Sequence, residues 1–77
     1  MIKCHLSRMM GERRLKISDV ARDTGLNRGT LTRLYHEAAE RVELDVLDAL
    51  CAYFDCQVCD IFEFNPNLVP KGENTSP

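Results

Sequence analysis

The sequence of 77 residues contains no tryptophan, and only 6% of its residues are aromatic. Aliphatic side chains, methionine and cysteine must therefore fill the core, and a hydrophobic content of 44% allows one small domain. A core of this size rarely secures more than about 3–5 kcal/mol, so association with a second chain is expected to add stability. A catalytic pocket of about 300 Å³ would take most of such an interior, which argues against an enzyme.

Long apolar runs are absent as well. Runs such as Leu50–Phe54 are far shorter than the ~18 residues of a membrane span, and no secretory signal follows Met1. The four cysteines make up about 5% of the chain, below the ~8–10% of disulfide-rich scaffolds. We therefore expect a reduced, cytoplasmic protein without a membrane partner.

An overall positive charge, which would point to a polyanionic partner, is also missing, because the formal net charge is −2. This value conceals an uneven distribution. Residues 1–41 carry nine basic and five acidic side chains, whereas residues 42–77 carry one basic and seven acidic ones. The N-terminal half is thus at +4 and the C-terminal half at −6. Such a separation indicates a nucleic-acid face on the N-terminal half, with an uneven solvated surface as the alternative.

The spacing of apolar residues predicts three short helices in the N-terminal half. Leu6, Met9 and Met10 recur at i, i+3 and i+4, which favours a first helix over about residues 4–13. A second helix is predicted over 18–24 and a third over about 28–36, the latter after the N-cap residue Asn27.

Two further helices are predicted in the C-terminal half. The fourth starts at Glu43, and its inward side is predicted to consist of Leu44, Leu47, Leu50, Cys51 and Phe54. The fifth follows Gln57 and contains Val58, Ile61 and Phe62. The predicted fold is all-α, a compact five-helix bundle over residues 1–64, followed by a flexible tail over 65–77.

The connection between the second and third helices is the most informative local feature. Only Gly25 and Leu26 separate them, and helices joined this tightly cross at about 90–120°, as in a helix-turn-helix unit. Gly25 suits the left-handed turn, and Ala21 lies where the helices touch, so a larger side chain would separate them. Leu31 and Leu34 then hold the third helix on the core.

Two stretches of the sequence, one covering this unit and one following it, carry a recognisable pattern of residues. The first is Val20-Ala21-x-x-x-Gly25-Leu26-Asn27-Arg28-x-Thr30-Leu31-x-Arg33-Leu34, and the second is Leu44-Asp45-x-Leu47-x-x-Leu50-Cys51-x-Tyr53-Phe54 followed by Asp60-Ile61-Phe62. Together they resemble the Cro/cI (XRE) family of bacterial and phage DNA-binding domains. The resemblance implies a lambda-repressor-like domain that is often dimeric and acts as a transcriptional repressor or regulator. Ile17 departs from the family, which frequently has a phosphate-binding glutamine there.

The third helix is expected to read DNA with the side opposite Leu31, Leu34 and Tyr35. In this motif its N-terminal residues reach base edges in the major groove, where arginine pairs with guanine, asparagine with adenine and a threonine methyl with thymine. A glycine lets the backbone approach closely. The predicted base contacts are Asn27, Arg28, Gly29, Thr32 and Arg33. The predicted phosphate contacts are Lys16, Ser18, His36 and Arg41, with Arg13 and Arg14 as further candidates.

The cysteines allow a second reading. Cys56-x-x-Cys59 is the spacing of a zinc or redox site, which Cys51, Cys4 and His5 would have to complete. A second pair of this spacing is missing and Cys51 lies on an apolar stripe, so core packing is favoured and no metal or cofactor is predicted. His5 and His36 have no acidic or nucleophilic partner in the sequence, which argues against catalysis.

We predict a sequence-specific DNA-binding transcriptional regulator, and specifically a repressor, that inserts its third helix into the major groove of double-stranded DNA. A homodimer is expected, with a dimer surface formed by Phe62, Phe64, Leu68 and Val69, and no small-molecule ligand is expected. Two alternatives stay open. One is an antitoxin-like or adaptor module that binds protein, and the other is a thiol- or metal-responsive regulator that uses the cysteines.

Overall fold

A computed structural model describes residues 1–67, which form five helices and two short strands. The helices are α1 (Leu6–Glu12), α2 (Ile17–Thr24), α3 (Arg28–Tyr35), α4 (Leu44–Phe54) and α5 (Val58–Ile61). The strands are β1 (Ile2–Cys4) and β2 (Phe62–Phe64). No helix in this part of the chain is long and apolar enough to cross a membrane.

The prediction of an all-α fold is wrong where the two ends of the domain meet. β1 and β2 pair antiparallel, with Ile2 opposite Phe64 and Cys4 opposite Phe62. Phe62 therefore belongs to β2 and not to the fifth helix, and the first helix begins at Leu6 instead of residue 4. Three-residue strands are too short for a periodic pattern, and their pairing joins residues almost sixty positions apart, which no local signal reports.

The core is built from aliphatic side chains and one aromatic ring, as the composition requires. Of the predicted inward residues of the first and third helices, Leu6, Met9, Met10, Leu31 and Leu34 are buried, whereas Tyr35 is only half-buried. Phe54 of α4 is fully buried and is the largest side chain of the core. The remaining buried positions are Cys4, Val20, Val46, Leu50 and Ile61.

The predicted inward side of α4 is partly wrong. Leu44 is 80% exposed, whereas Val46, which was not predicted to be inward, is buried. Glu43 is the N-cap, so the helix begins at Leu44 and its inward positions follow at Val46, Leu50 and Phe54, four residues apart. The stripe formed by Leu44, Leu47 and Cys51 is therefore rotated toward the surface.

Arg13 closes the C-terminal end of α4. Its Nη2 atom donates to the carbonyl oxygen of Phe54 at 2.9 Å, and its guanidinium carbon lies 5.0 Å from the centroid of the Phe54 ring. A cation at this position satisfies one of the free carbonyl groups of the helix end and is favoured by the helix dipole. Arg13 is one of the further residues that the sequence predicts to contact phosphate, and this contact holds its guanidinium group against α4.

Glu37, just after α3, connects that helix to β1 through hydrogen bonds. Its carboxylate accepts hydrogen bonds from Lys3 Nζ at 3.0 Å and from the Cys4 N–H at 3.2 Å. The hydrogen bond from Lys3 lowers the pKa of Glu37, and the bond from Cys4 adds to this against the opposing effect of burial. The small sheet is thus tied to the same helix that the sequence predicts to read DNA.

Candidate nucleic-acid interface

The turn between α2 and α3 is fixed by backbone geometry and one hydroxyl group. Gly25 has φ +77°, and its N–H donates to the Ala21 carbonyl at 2.9 Å. A β-carbon there would meet no atom within 4 Å, so the left-handed backbone and not the available space favours glycine. Thr24 Oγ1 donates to the Val20 carbonyl at 2.6 Å and accepts the Leu26 N–H at 3.2 Å. These bonds set how α3 leaves α2.

Asn27 begins α3 as its N-cap. Its Oδ1 atom accepts the N–H groups of Gly29 at 2.7 Å and Thr30 at 3.2 Å. A β-carbon at position 29 would lie 2.9 Å from this oxygen, so a larger residue there would displace the cap oxygen. Because Oδ1 is engaged, Asn27 retains only its Nδ2 group for donation to a base or a phosphate, and the two-bond contact with adenine is closed to this conformation.

The outer side of α3 brings the other predicted base contacts together. Arg28, Gly29, Thr32 and Arg33 are all exposed and lie on neighbouring turns. Arg28 and Arg33 take part in none of the ion pairs of residues 1–67. Thr32 Oγ1 donates to the Arg28 carbonyl at 2.8 Å, so its methyl group is what remains for an apolar contact.

The predicted phosphate contacts divide between two places. Lys16 and Ser18, at the start of α2, line a shallow groove of about 390 Å³ together with Arg28 and Tyr35. His36 ends α3, and its ring packs edge-to-face on that of Tyr35, with centroids 5.1 Å apart. Arg41 lines a different groove, beside β1. The structure thus joins Lys16 and Ser18 to the exposed side of α3 and leaves Arg41 apart from them.

A contact between α2 and α4, which the sequence did not suggest, holds the motif on the rest of the domain. The Tyr53 hydroxyl donates to Asp23 Oδ2 at 2.7 Å, and Arg22 donates to the other oxygen of Asp23 at 3.1 Å. The tyrosine hydrogen bond, followed by that of the arginine, lowers the pKa of Asp23. Because the two residues are 30 positions apart, no spacing rule could have found this bond.

In the described part of the chain the thiols of Cys51 and Cys56 lie against each other and share a side-chain hydrogen bond. Burial raises the pKa of the thiols of Cys4 and Cys56, which disfavours the reactive thiolate. Cys59 is exposed and Cys51 is half-buried. Within residues 1–67, no group of three histidine, cysteine or acidic side chains is placed to hold a metal ion.

Because Asn27 Oδ1 lies so close to position 29, the effect of Gly29→Ala on stability is expected to depend on whether the asparagine cap is present. In the unmodified protein, Gly29→Ala is expected to be neutral or slightly destabilising, because loss of the asparagine cap costs about 1 kcal/mol. This loss offsets the gain of up to about 1 kcal/mol for alanine in a helix. With Asn27→Ala already present, the same substitution is expected to stabilise by about 0.5–1 kcal/mol. Urea denaturation of the four proteins measures the difference, and equal effects in both backgrounds would contradict the contact.

Comparison with known proteins agrees with this geometry. The family model described as "Cro/C1-type HTH DNA-binding domain" matches residues 5–67. A Bacillus subtilis (strain 168) protein described as "Uncharacterized HTH-type transcriptional regulator YozG" is 27% identical over 56 residues, which cover 73% of this chain and 67% of that protein. No solved structure matches the chain.

Proposed function

Because the chain belongs to the family of Cro/C1-type helix-turn-helix DNA-binding domains, we propose that it is a transcriptional regulator that recognises a specific DNA sequence and represses transcription. The observation that supports this most directly is the outer side of α3. It presents two exposed arginines, Arg28 in the first turn and Arg33 in the last, that no acidic side chain of residues 1–67 neutralises. Repression is the simplest outcome, since a domain bound at a promoter excludes other proteins from it.

In the proposed complex α3 lies in the major groove. Arg28 and Arg33 each donate two hydrogen bonds to a guanine, and the Thr32 methyl group contacts a thymine methyl. Gly29 allows the backbone to approach the base edges, and Asn27 donates through Nδ2. The phosphate backbone is bound by Lys16 and Ser18 on one side and, farther away, by His36 and Arg41, which fix the register without reading sequence.

We further propose that the regulator binds as a homodimer through the small sheet. Ile2 and Phe64 face each other across β1 and β2, and they are 58% and 66% exposed. Lys3 and Glu63, the next pair, point to the other face of the sheet and are paired with Glu37 and His5, so they add no unpaired charge to this patch. Phe62 is half-buried beside this patch, and Leu68 and Val69 lie outside the described residues. A two-fold dimer would place two copies of α3 about 34 Å apart on a near-palindromic site.

Selection of duplexes from a random pool, followed by titration of the enriched duplex at two salt concentrations, tests the function. The expected result is one enriched, near-palindromic site. With Lys16 and Arg41 as the charged phosphate contacts of each chain, a dimer neutralises about four phosphates, and the affinity should fall by about 10² between 50 and 200 mM salt. No enrichment and no salt dependence would contradict DNA recognition and favour a protein-binding module. An enriched site without two-fold symmetry would contradict the dimer alone.

A further inference from the structure

An apolar groove runs between α4 and α5, outside the proposed DNA interface. It has a volume of about 340 Å³ and is lined mainly by Leu44, Leu47, Cys51, Cys56 and Val58. Leu44 is 80% and Val58 50% exposed, although both are large apolar side chains. On α4 the lining residues recur at i, i+3 and i+7, the spacing of a stripe that packs against another element. Contiguous apolar surface of this kind marks an interaction site.

The helices that form the groove carry only acidic charged side chains, although the guanidinium group of Arg13, bound at the C-terminal end of α4, lies near Cys56. Residues 42–67 contain no lysine or arginine and six acidic residues, and one of these, Asp48, lines the groove itself. Asp45 and Asp48 are exposed and take part in no ion pair among residues 1–67. An apolar floor with an unneutralised acidic rim selects a cationic partner, because complementary charge steers association and excludes partners of the same sign.

We propose that this groove binds a basic amphipathic helix of a partner protein. The apolar stripe of that helix would lie against Leu44, Leu47 and Val58, and its lysine or arginine side chains would reach Asp45 and Asp48. A second copy of this chain is the competing occupant, which the oligomeric state of the groove variants distinguishes below. The chain's own residues 68–77 hold one basic and one acidic side chain, and therefore lack the complementary charge.

The groove shares no residue with the outer side of α3 or with the groove at Lys16 and Ser18. A protein held by α4 and α5 would thus be recruited to the regulator while α3 stays free for DNA. This step goes beyond the proposed DNA recognition and does not depend on it, because the surfaces consist of different residues.

A labelled synthetic helix tests the proposal. The probe is a fluorescein-labelled peptide of leucine and lysine with leucine at i, i+3, i+4 and i+7, titrated with the full chain and followed by anisotropy at 0.15 M salt. A scrambled peptide of equal composition has no apolar face and serves as the first control. We expect saturable binding of the amphipathic peptide that is at least about tenfold tighter than that of the scrambled one.

Two pairs of substitutions test the two components of the site. Leu44→Ser with Val58→Ser is expected to weaken binding of the amphipathic peptide at least about tenfold, and Asp45→Asn with Asp48→Asn to weaken it several-fold and reduce its salt dependence. Ala52→Ser, which alters an exposed apolar residue of α4 that does not line the groove, is the matched control and should leave binding unchanged. All four substituted residues are exposed, so the core should be unchanged, and circular dichroism confirms the fold of each variant.

Four outcomes would overturn the proposal. Equal binding of the two peptides would show that only charge is recognised, and no effect of either pair of substitutions would place the peptide on another surface. A change of oligomeric state in sedimentation caused by Leu44→Ser with Val58→Ser would assign the groove to a second copy. Tighter peptide binding after removal of residues 68–77 would assign it to the chain itself. Affinity for the selected duplex should be unchanged in the groove variants, which separates a failure here from a failure of the proposed DNA function.

Discussion

A variant with both Arg28→Ala and Arg33→Ala is expected to bind the selected duplex about 30-fold to 10⁴-fold more weakly than the unmodified protein. Each arginine–guanine pair with two hydrogen bonds is worth about 1–3 kcal/mol, and 1.4 kcal/mol corresponds to a factor of ten. Both guanidinium groups are exposed on the outer side of α3, so their removal leaves the core unchanged. Fluorescence anisotropy with the selected and a mixed-sequence duplex measures the effect.

The matched control is the variant with Arg8→Ala and Arg22→Ala. It removes the same charge, but Arg8 pairs with Glu12 and Arg22 with Asp19 and Asp23 within their own helices. If the arginines of α3 read bases, the preference for the selected duplex over mixed sequence should be lost only in the first variant. An equal loss in both variants would show that only overall charge matters, and a reduced salt slope without lost preference would reassign Arg28 and Arg33 to phosphates.

The largest effect on stability is expected for Phe54→Ala. Truncation of a buried phenylalanine costs about 3–5 kcal/mol, because the apolar contacts are lost and a cavity remains. Phe54 is fully buried, and its ring and carbonyl group both contact Arg13. Since a chain of this size gains only about 3–5 kcal/mol from its core, the variant should be largely unfolded at 25 °C. Circular dichroism in a urea titration measures the loss.

Leu44→Ala is the control in the same helix. Because this leucine is 80% exposed, its truncation should change the free energy of unfolding by no more than about 0.5 kcal/mol. A loss of less than about 1 kcal/mol for Phe54→Ala, or equal losses for the two variants, would contradict the inward face assigned to α4. The Leu44→Ala result also distinguishes the predicted inward side of α4, which includes Leu44, from the observed one, which does not.

The sequence was most informative where structure is local. The turn at Gly25, the N-cap at Asn27 and the inward leucines of α3 lie within about ten residues of one another, and local chemistry decides each of them. Together with the matching pattern of residues, they predicted the helix-turn-helix family correctly. They also predicted that Arg28 and Arg33 are exposed on one side of α3, which the structure confirms.

Interactions between distant residues were not predictable in this way. The pairing of Ile2 with Phe64 and the bond between Tyr53 and Asp23 depend on how helices pack, and neither has a signal in local spacing. On α4, the apolar residues allowed two inward faces, and packing selected the one with Val46. The sequence also did not show that the helix cap and the predicted adenine contact need the same atom. Asn27 Oδ1 caps α3 and is therefore not available to adenine.

The sheet also bears on the order in which the domain folds. Pairing of β1 with β2 closes a loop that contains all five helices, whereas α2, its turn and α3 meet within a short stretch of chain. The entropy lost on loop closure must be met before such a distant contact is rewarded, so local contacts form first. The two strands should therefore be unpaired in the folding transition state. Their pairing is then expected to slow unfolding and to leave the folding rate nearly unchanged.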